Sequence, residues 1–338
     1  MTAGICWGYI NDVNAFKLLA TLVTVAVASM YSLVYLLSHT PREPFSEELQ
    51  SITVDENGDR LTTELVAVNS ATHHASEGIL LSVVVPSYNE TGRILLMLTE
   101  AIKYLESAFP QKWEIIIVDD GSRDGTTDYC LKQAHEQFKL RAGELRVIHF
   151  IKNRGKGGAV RQGMLHIRGK YGLFADADGA SKFSDVEKLL ESVKKLEKNE
   201  TGKDKAAVAI GSRAHMINTD AVVKRSVIRN FLMYGLHTLV FVFGIRSIKD
   251  TQCGFKLFNK AAIEQIFPYL HTEGWIFDVE ILMLAIRKLI PIVEVPISWH
   301  EVDGSKMELA RDSINMAKDL VVIRMAYILG IYKDYRKI

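Results

Sequence analysis

The chain alternates short apolar runs with longer stretches whose apolar residues recur every three or four positions, most clearly between residues 79 and 210. The apolar runs predict strands at Leu81–Val85, Ile115–Val118, Leu145–Phe150, Leu173–Ala175 and Ala206–Ile210. The stretches between them predict helices at Arg93–Phe109, Thr126–Phe138, Gly157–Ile167 and Val186–Lys198. Because strands that are buried on both faces and alternate with helices form parallel sheets, we predict an α/β fold with a mainly parallel sheet covered by helices.

One apolar run is much longer than the others. Leu18–Leu37 holds twenty residues without a charge, and a helix of that length crosses the ~30 Å hydrocarbon layer of a bilayer. A cleaved signal peptide has a shorter apolar core and small residues at its cleavage site, so we predict an uncleaved transmembrane anchor. Lys17 and Arg42 flank the run on either side, and the positive-inside count therefore leaves the orientation open.

The remaining pattern divides the chain further. Residues 38–78 contain two prolines, an Asn57-Gly58 turn signal and few large apolar residues, which indicates a linker with room for one short hairpin. The predicted organisation is a short tail at 1–17, the anchor at 18–37, the linker at 38–78, a folded domain at 79–310 and a C-terminal amphipathic helix at 311–338.

Two later apolar segments are too short to cross a bilayer. Phe231–Ile245 lies between two arginines, and Leu320–Tyr332 contains one arginine and is followed by basic residues. Both segments suit amphipathic helices in the headgroup layer, where basic groups face lipid phosphate. Ordinary core helices would give the same pattern, and the sequence leaves both interpretations open.

Composition narrows the function classes. Hydrophobic residues make up 48% of the 338 residues and charged residues 24%, values that suit a globular domain and argue against disorder. The formal net charge of +1 provides no bulk field to hold nucleic acid, so we predict no nucleic-acid partner. The three cysteines are widely spaced and give neither a disulfide framework nor a zinc motif, which favours a reducing compartment.

Polar residues follow four of the apolar strands directly. The segments are VVVPSYNE at Val83–Glu90, IIIVDDGSRDGT at Ile115–Thr126, NRGKGGA at Asn153–Ala159 and LFADADG at Leu173–Gly179. Ligands of parallel sheets bind at the carboxyl ends of the strands. The tyrosine and carboxylate of the first segment suit a planar base and a ribose, and the glycine-rich third segment suits phosphate.

The Asp-Ala-Asp sequence carries the sharpest signal. Asp176 and Asp178 follow a strand with one residue between them, so both carboxylates can share one hard divalent cation that also bridges a diphosphate. A turn or a helix cap is the common use of such a tripeptide, but its position after VVVPSYNE and IIIVDDGS favours the metal. Competing motifs fail, because Val160 replaces the third Rossmann glycine and no GK[ST] or HExxH sequence occurs.

From Leu81 to Lys306 the chain resembles family 2 glycosyltransferases of the GT-A fold, and among them the eukaryotic enzymes that glucosylate dolichyl phosphate. The four segments above carry the general resemblance. Later motifs and the single anchor narrow it to polyprenyl-phosphate acceptors: GSR at Gly211–Arg213, DTQCGFKLF at Asp250–Phe258, GWIFDVE at Gly274–Glu280 and EVPISWHEVDGSK at Glu294–Lys306. The QxxRW motif of processive synthases does not occur, so the resemblance implies transfer of a single sugar.

The resemblance also implies the reaction and its surroundings. Glucose would pass from UDP-glucose to dolichyl phosphate with inversion, giving dolichyl β-glucosyl phosphate. The enzyme would lie among the lipids of the endoplasmic reticulum membrane as a single-pass protein with its catalytic domain on the cytosolic face. A GDP-mannose-dependent mannosyl enzyme, a hydroxyl-acceptor transferase and a catalytically silent nucleotide-sugar binding protein remain alternatives.

Site residues carry over from the motifs. The resemblance places the nucleoside on Pro86, Tyr88, Glu90 and Asp119. It places the ribose and diphosphate beside Asp120 and Lys156. Asp176 and Asp178 would hold Mg²⁺ or Mn²⁺, with Asp178 counted among the catalytic residues. Gly179 and Ala180 stand where related mannosyl enzymes have Leu-Gln, which leaves water or Ser181 as the third metal ligand.

A phosphate acceptor sets different demands from a hydroxyl acceptor. A phosphate monoester has its second pKa near ~6 and is already ionised at neutral pH, so it needs no general base. It does need guanidinium groups, and the candidates are Arg213, Arg225 and Arg229. For the last two, snorkelling to lipid headgroups is an equal alternative.

Later polar residues complete the acceptor side. Asp278 either assists catalysis near the acceptor or caps a helix, and Ser305 and Lys306 either close on phosphate or form only a turn. The sequon at Asn199 should stay unmodified if the domain faces the cytosol.

Overall fold

A computed structural model describes residues 3–70, 78–198, 205–216, 235, 245, 247–302, 304 and 308–334. The chain divides into two compact units, Met1–His39 with Val321–Lys333 and Thr40–Leu320 with Asp334–Ile338.

The described residues form nine strands and eight α-helices. The strands are β1 Gln50–Val54, β2 Arg60–Glu64, β3 Leu81–Ser87, β4 Trp113–Asp119, β5 Leu145–His149, β6 Tyr171–Ala175, β7 Val208–Ser212, β8 Phe255–Asn259 and β9 Ile292–Pro296. The helices are α1 Ala3–Leu37, α2 Ile94–Ala108, α3 Thr126–Glu136, α4 Lys156–Leu165, α5 Val186–Glu197, α6 Lys260–Ile266, α7 Phe277–Arg287 and α8 Leu309–Ile328.

In the first unit, α1 contains the predicted anchor. Within the described chain, Phe16–Leu37 is the one stretch whose length and composition would allow it to cross a membrane. Its apolar side chains are largely exposed, as at Leu18 and Leu36, which an aqueous surface would disfavour. After the helix, the backbone N–H of His39 donates to the Tyr332 hydroxyl over 2.7 Å.

In the second unit, the strands form one sheet in the order β2-β1-β5-β4-β3-β6-β8-β7-β9. Its centre, β5-β4-β3-β6, is parallel and nearly every residue in these strands is buried, as their continuous apolar runs require. The predicted α/β architecture is confirmed. Strand β8 runs antiparallel to both β6 and β7, an insertion that the apolar runs did not reveal.

Helices α2 and α5 each pack on this sheet with one apolar face. In α5 the buried residues Val186, Leu189, Leu190 and Val193 recur at the spacing of one helix face. The same spacing recurs in α2 and packs it on the sheet core. All four predicted helices and all five predicted strands are present, with bounds shifted by one or two residues in most cases.

The segment predicted as a linker differs from the expectation. Its hairpin exists, but β1 also pairs antiparallel with β5, through Ile52 and Val147. Just before β1, the carboxylate of Glu48 is fully buried, where it accepts bonds from Arg42 and from the backbone N–H of Ile151. The sheet therefore begins at residue 50 rather than after residue 78.

The C-terminal segment also differs in extent. Helix α8 begins at Leu309 and ends at Ile328, so only part of the predicted segment 320–332 is helical. Ile323 and Ala326 are fully buried, whereas Ile328 is exposed. This pattern favours the core-helix interpretation for that segment. The other predicted amphipathic segment, 231–245, lies outside the described residues except for residues 235 and 245.

Candidate active site

A cavity of about 530 Å³ opens at the carboxyl ends of β3, β4 and β6. Residues Ser87 and Asp119 are paired in register at the ends of β3 and β4, so the chain leaves both strands at one edge of the sheet. Predicted site residues that line the cavity are Pro86, Tyr88, Glu90, Asp120, Lys156, Asp176 and Asp178. The parallel centre of the sheet therefore brings together residues as distant in sequence as Pro86 and Asp178.

Asp119 lies beside the cavity wall, and its carboxylate is hydrogen-bonded to three other groups of the protein. Its carboxylate accepts bonds from the Ser122 backbone N–H, the Thr127 hydroxyl and Nδ1 of His149, the last at 3.2 Å. Burial acts to raise the pKa of Asp119, but these hydrogen bonds outweigh it and hold the pKa below its usual range. The same contact raises the pKa of His149.

Asp120 lines the cavity and ties down the glycine-rich loop. Its two oxygens accept the backbone N–H groups of Arg154 at 2.6 Å and Gly155 at 2.9 Å. Burial raises the pKa of Asp120 to about 7, despite these two bonds, and the nearby charge of Asp119 acts in the same direction. The carboxylate therefore connects the end of β4 to the start of α4.

The glycine loop is tightly packed rather than open. A Cβ on Gly155 would lie 2.4 Å from the Glu273 carbonyl oxygen, and one on Gly157 would lie 2.7 Å from Cβ of Phe277. Arg154 adds an ion pair to the Glu273 carboxylate. These contacts hold the loop against residues 273–277, and that segment contributes Trp275 to the cavity. Glycine is needed here for close packing of two backbones.

Arg93 enters the cavity although the sequence did not single it out. Its Nε and Nη2 atoms bind both oxygens of Glu90, at 2.8 and 2.5 Å. The hydrogen bond to Glu90 raises the pKa of Arg93, and the carboxylates of Asp178 and Asp176 contribute to the same shift. Arg93 thus supplies a positive charge to the cavity that the Asp-Ala-Asp carboxylates also line.

Asp176 and Asp178 both face the cavity. Oδ1 of Asp178 accepts the backbone N–H of Ala180 at 3.0 Å, which fixes that side chain in a turn. Asp176 pairs with Lys156, with 2.7 Å between Oδ1 and Nζ. Its backbone N–H donates to the carbonyl of Gly254, the residue before β8, and a Cβ at position 254 would lie only 2.0 Å from Oδ2. Gly254 therefore provides the space that the Asp176 carboxylate occupies.

This donor set suits a divalent cation in part. Two carboxylates on one wall of a wide cavity leave room for water and for diphosphate oxygens, which is how Mg²⁺ is usually held. Among the described residues, no group of three His, Cys, Asp or Glu side chains converges there. The two aspartates would therefore need ligands from substrate or solvent.

Arg213 does not line the cavity. Its Nε and Nη2 atoms bind both oxygens of Asp250, at 2.8 and 2.9 Å, and its guanidinium lies 5.4 Å from the Trp299 ring centroid. Burial acts to lower the pKa of Arg213, and the bond to Asp250 overcomes it and raises that pKa. Nε and Nη2 of Arg213 therefore already donate to Asp250, which leaves fewer N–H groups of the guanidinium for an acceptor phosphate.

Asp278 is buried in the first turn of α7 and is 4% exposed. Oδ1 accepts a bond from Nζ of Lys256, whose side chain is fully buried. Burial raises the pKa of Asp278, although Lys256 and then Lys156 act to lower it. The sequence left two roles open for this carboxylate, an action near the acceptor and a helix cap. In the structure it pairs with Lys256, and the N-cap residue of α7 is Ile276.

Four predicted residues, Arg225, Arg229, Ser305 and Lys306, lie outside the described residues, as does Asn199.

A model of one protein family, Glycosyl transferase family 2, matches residues 82–267. The chain belongs to this family. The match covers β3 to β6 and extends through β8 to the end of α6, so it includes every strand end that lines the cavity. Most of the motif residues of this glycosyltransferase therefore fall inside the matched region.

Two relatives are similar over most of their length. The dolichyl-phosphate beta-glucosyltransferase of Saccharomyces cerevisiae is 69% identical over 319 residues, which cover 94% of this chain and 95% of the relative. The human protein of the same name is 44% identical over 257 residues, 75% and 77% of the two chains. Among solved structures, glucosyl-3-phosphoglycerate synthase of Mycobacterium tuberculosis matches with a TM-score of 0.48 and 17% identity, over 74% of this chain and 82% of that one.

Several residues that line the cavity of this glycosyltransferase were not among the predicted site residues, although two of them, Asn153 and Trp275, lie in the motifs quoted above. They are Arg93, Asn153, Trp275, Glu308, Arg311, Asp312 and Asn315. Arg93 follows Glu90 by three residues, and that spacing could have indicated a pair at the start of α2. The residues on α8 had no such signal, because a helix far along the chain contributes them and the rule of strand ends does not apply to it.

Proposed function

We propose that the chain transfers glucose from UDP-glucose to dolichyl phosphate with inversion and gives dolichyl β-glucosyl phosphate. The observation that carries the proposal is the 69% identity over 94% of the chain to a relative named for this activity. The cavity adds independent support, because Tyr88, Lys156, Asp176 and Asp178 face a space large enough for a nucleotide sugar.

The donor would lie across the ends of β3 and β6. Tyr88 is partly exposed at the cavity and can stack on a uracil ring, while the Glu90–Arg93 pair fixes the adjoining wall. Lys156 begins helix α4, whose N-terminus favours negative charge, so the diphosphate fits between that end and Asp178. Asp176 and Asp178 would hold Mg²⁺ or Mn²⁺, which supplies charge neutralisation for the departing diphosphate.

The reaction would be one displacement at the anomeric carbon. An ionised oxygen of the acceptor phosphate forms a bond to that carbon as the bond to the diphosphate breaks, and UDP leaves with the electron pair. The acceptor enters ionised, so no side chain has to remove a proton. The arrangement of Asp278 agrees with this requirement, since its pairing with Lys256 gives it a positioning role and does not present it as a base.

We further propose membrane anchoring through Phe16–Leu37, with the domain on the cytosolic face of the endoplasmic reticulum. The check is the sequon at Asn199: in cells, it should carry no glycan. An endoglycosidase-sensitive mass shift at Asn199 would place the domain in the lumen.

A donor-by-acceptor assay tests the function. The full-length protein in detergent is incubated with radiolabelled UDP-glucose or GDP-mannose, and with dolichyl phosphate or a soluble sugar. We expect label in the lipid phase only with UDP-glucose and dolichyl phosphate. Transfer from GDP-mannose would indicate the mannosyl enzyme. Transfer to the soluble sugar would indicate a hydroxyl-acceptor enzyme, and the absence of any transfer would indicate a binding protein.

A further inference from the structure

Four charged side chains alternate in sign behind and along the cavity wall. Lys156 contacts Asp176, with 2.7 Å between Nζ and Oδ1, and Lys256 contacts Asp278 in the same manner. The two pairs interact: burial acts to lower the pKa of Lys156, but the charges of Asp176 and of Asp278 outweigh it and raise that pKa. The ring of Phe174 lies within 5.7 Å of both ammonium groups.

The two lysines differ in their freedom to move. Lys256 is fully buried, and its ammonium also donates to the Cys253 carbonyl, so it is fixed in place. The side chain of Lys156 is 21% exposed and lines the cavity. Its ammonium rests between the rings of Phe174 and Trp275, 5.5 Å from each centroid. A flexible four-carbon stem allows this ammonium to reach other anions in the cavity.

Lys156 and a metal ion would compete for the same carboxylate oxygen of Asp176. A divalent cation bound by a carboxylate lies about 2.1 Å from the oxygen, a position next to the one that the ammonium takes on Oδ1. Gly254 closes another face of the carboxylate, where even a Cβ would be 2.0 Å from Oδ2. Two cations on one such oxygen would repel each other, so a metal ion bound to Oδ1 competes with the ammonium.

We propose that Lys156 is an electrostatic gate on the metal site. This inference rests on the proposed nucleotide-sugar donor and metal. Without a donor, the Lys156 ammonium neutralises Asp176 and competes with the cation. A bound diphosphate draws the ammonium to its own oxygens at the start of α4, and Asp176 becomes available. The cation and the nucleotide therefore bind cooperatively, and each increases the affinity of the other by the same factor.

The test is a Mn²⁺ titration followed by electron paramagnetic resonance, on the full-length protein in detergent, with and without UDP. In the Lys156→Met variant, we expect Mn²⁺ affinity without UDP to rise roughly 5- to 100-fold, in the range of typical couplings. With saturating UDP we expect the variant to bind Mn²⁺ more weakly than the unmodified protein, because the variant has lost a side chain that binds the diphosphate. Lys152→Met removes an exposed lysine of the same loop and should change neither value.

The gate predicts that Lys156→Met raises Mn²⁺ affinity without UDP and lowers it with UDP, and simple repulsion does not predict this reversal. An equal rise in Mn²⁺ affinity with and without UDP would show that Lys156 only repels the cation, and an unchanged affinity without UDP would also overturn the gate. If the unmodified protein binds no Mn²⁺ even with UDP, the proposed metal site itself fails. Lys156→Gln serves as a second variant, and the thermal unfolding midpoint of each variant shows whether it is folded.

Discussion

Replacement of Gly254 by alanine should inactivate the enzyme while leaving it folded. The new Cβ would lie 2.0 Å from Oδ2 of Asp176, and contacts shorter than 3.0 Å essentially do not occur, so the carboxylate must move by about 1 Å. A displacement of that size at a reacting centre can cost about 100-fold in rate. The obstructing atoms belong to a short side chain that can rotate, so we expect a loss of stability of only about 1–3 kcal/mol.

The assay compares kcat for glucosyl transfer in Gly254→Ala, Asp176→Ala and the unmodified protein, together with the thermal unfolding midpoint. Gly92→Ala is the matched control, because a Cβ there meets nothing within 4 Å and the glycine is exposed. The reasoning is refuted if Gly254→Ala keeps kcat within about threefold while Asp176→Ala is inactive, since the position of the carboxylate would then not matter.

Three further changes test other parts of the structure. Asp178→Ala should lower kcat by at least ~100-fold with little change in the unfolding midpoint, and near-normal metal-dependent turnover would contradict the metal assignment. His149→Gln should destabilise the protein more at pH 6 than at pH 9 in thermal unfolding: Asp119 raises the imidazole pKa, so the contact contributes fully below ~6.5 and is lost as pH rises through the folded value. A difference that does not depend on pH would contradict that origin. Glu114→Gln should cost about 3–5 kcal/mol in chemical denaturation without changing KM for the donor, because a fully buried carboxylate there neutralises two arginines at the opposite end of β4.

The sequence predicts the centre of the sheet and several of the residues that line the cavity at its edge. Tyr88, Asp120 and Asp176 were found because each follows an apolar strand, and parallel strands end at one edge of the sheet. This rule is local and requires no knowledge of which strands pair. Only the common direction of the strands has to be correct.

Pairing across long separations could not be predicted. Arg213 and Asp278 both have the right chemistry for an acceptor site, but their partners Asp250 and Lys256 lie 37 and 22 residues away in sequence. Sequence alone does not tell which charges neutralise each other after folding. The role of Gly254 was hidden for the same reason, because it depends on β8 entering the sheet beside β6 in the antiparallel direction.

The hairpin that precedes the main domain has a practical consequence. A soluble fragment that begins at residue 79 would lose β1 and β2 and leave the edge of β5 unpaired. Exposed backbone N–H and C=O groups on such an edge recruit strands from other molecules and promote aggregation. The fragment would also lose Glu48, whose carboxylate binds the loop leading to Lys156. A fragment that starts at Thr40 keeps both features, and we expect it to aggregate less than the fragment that starts at residue 79.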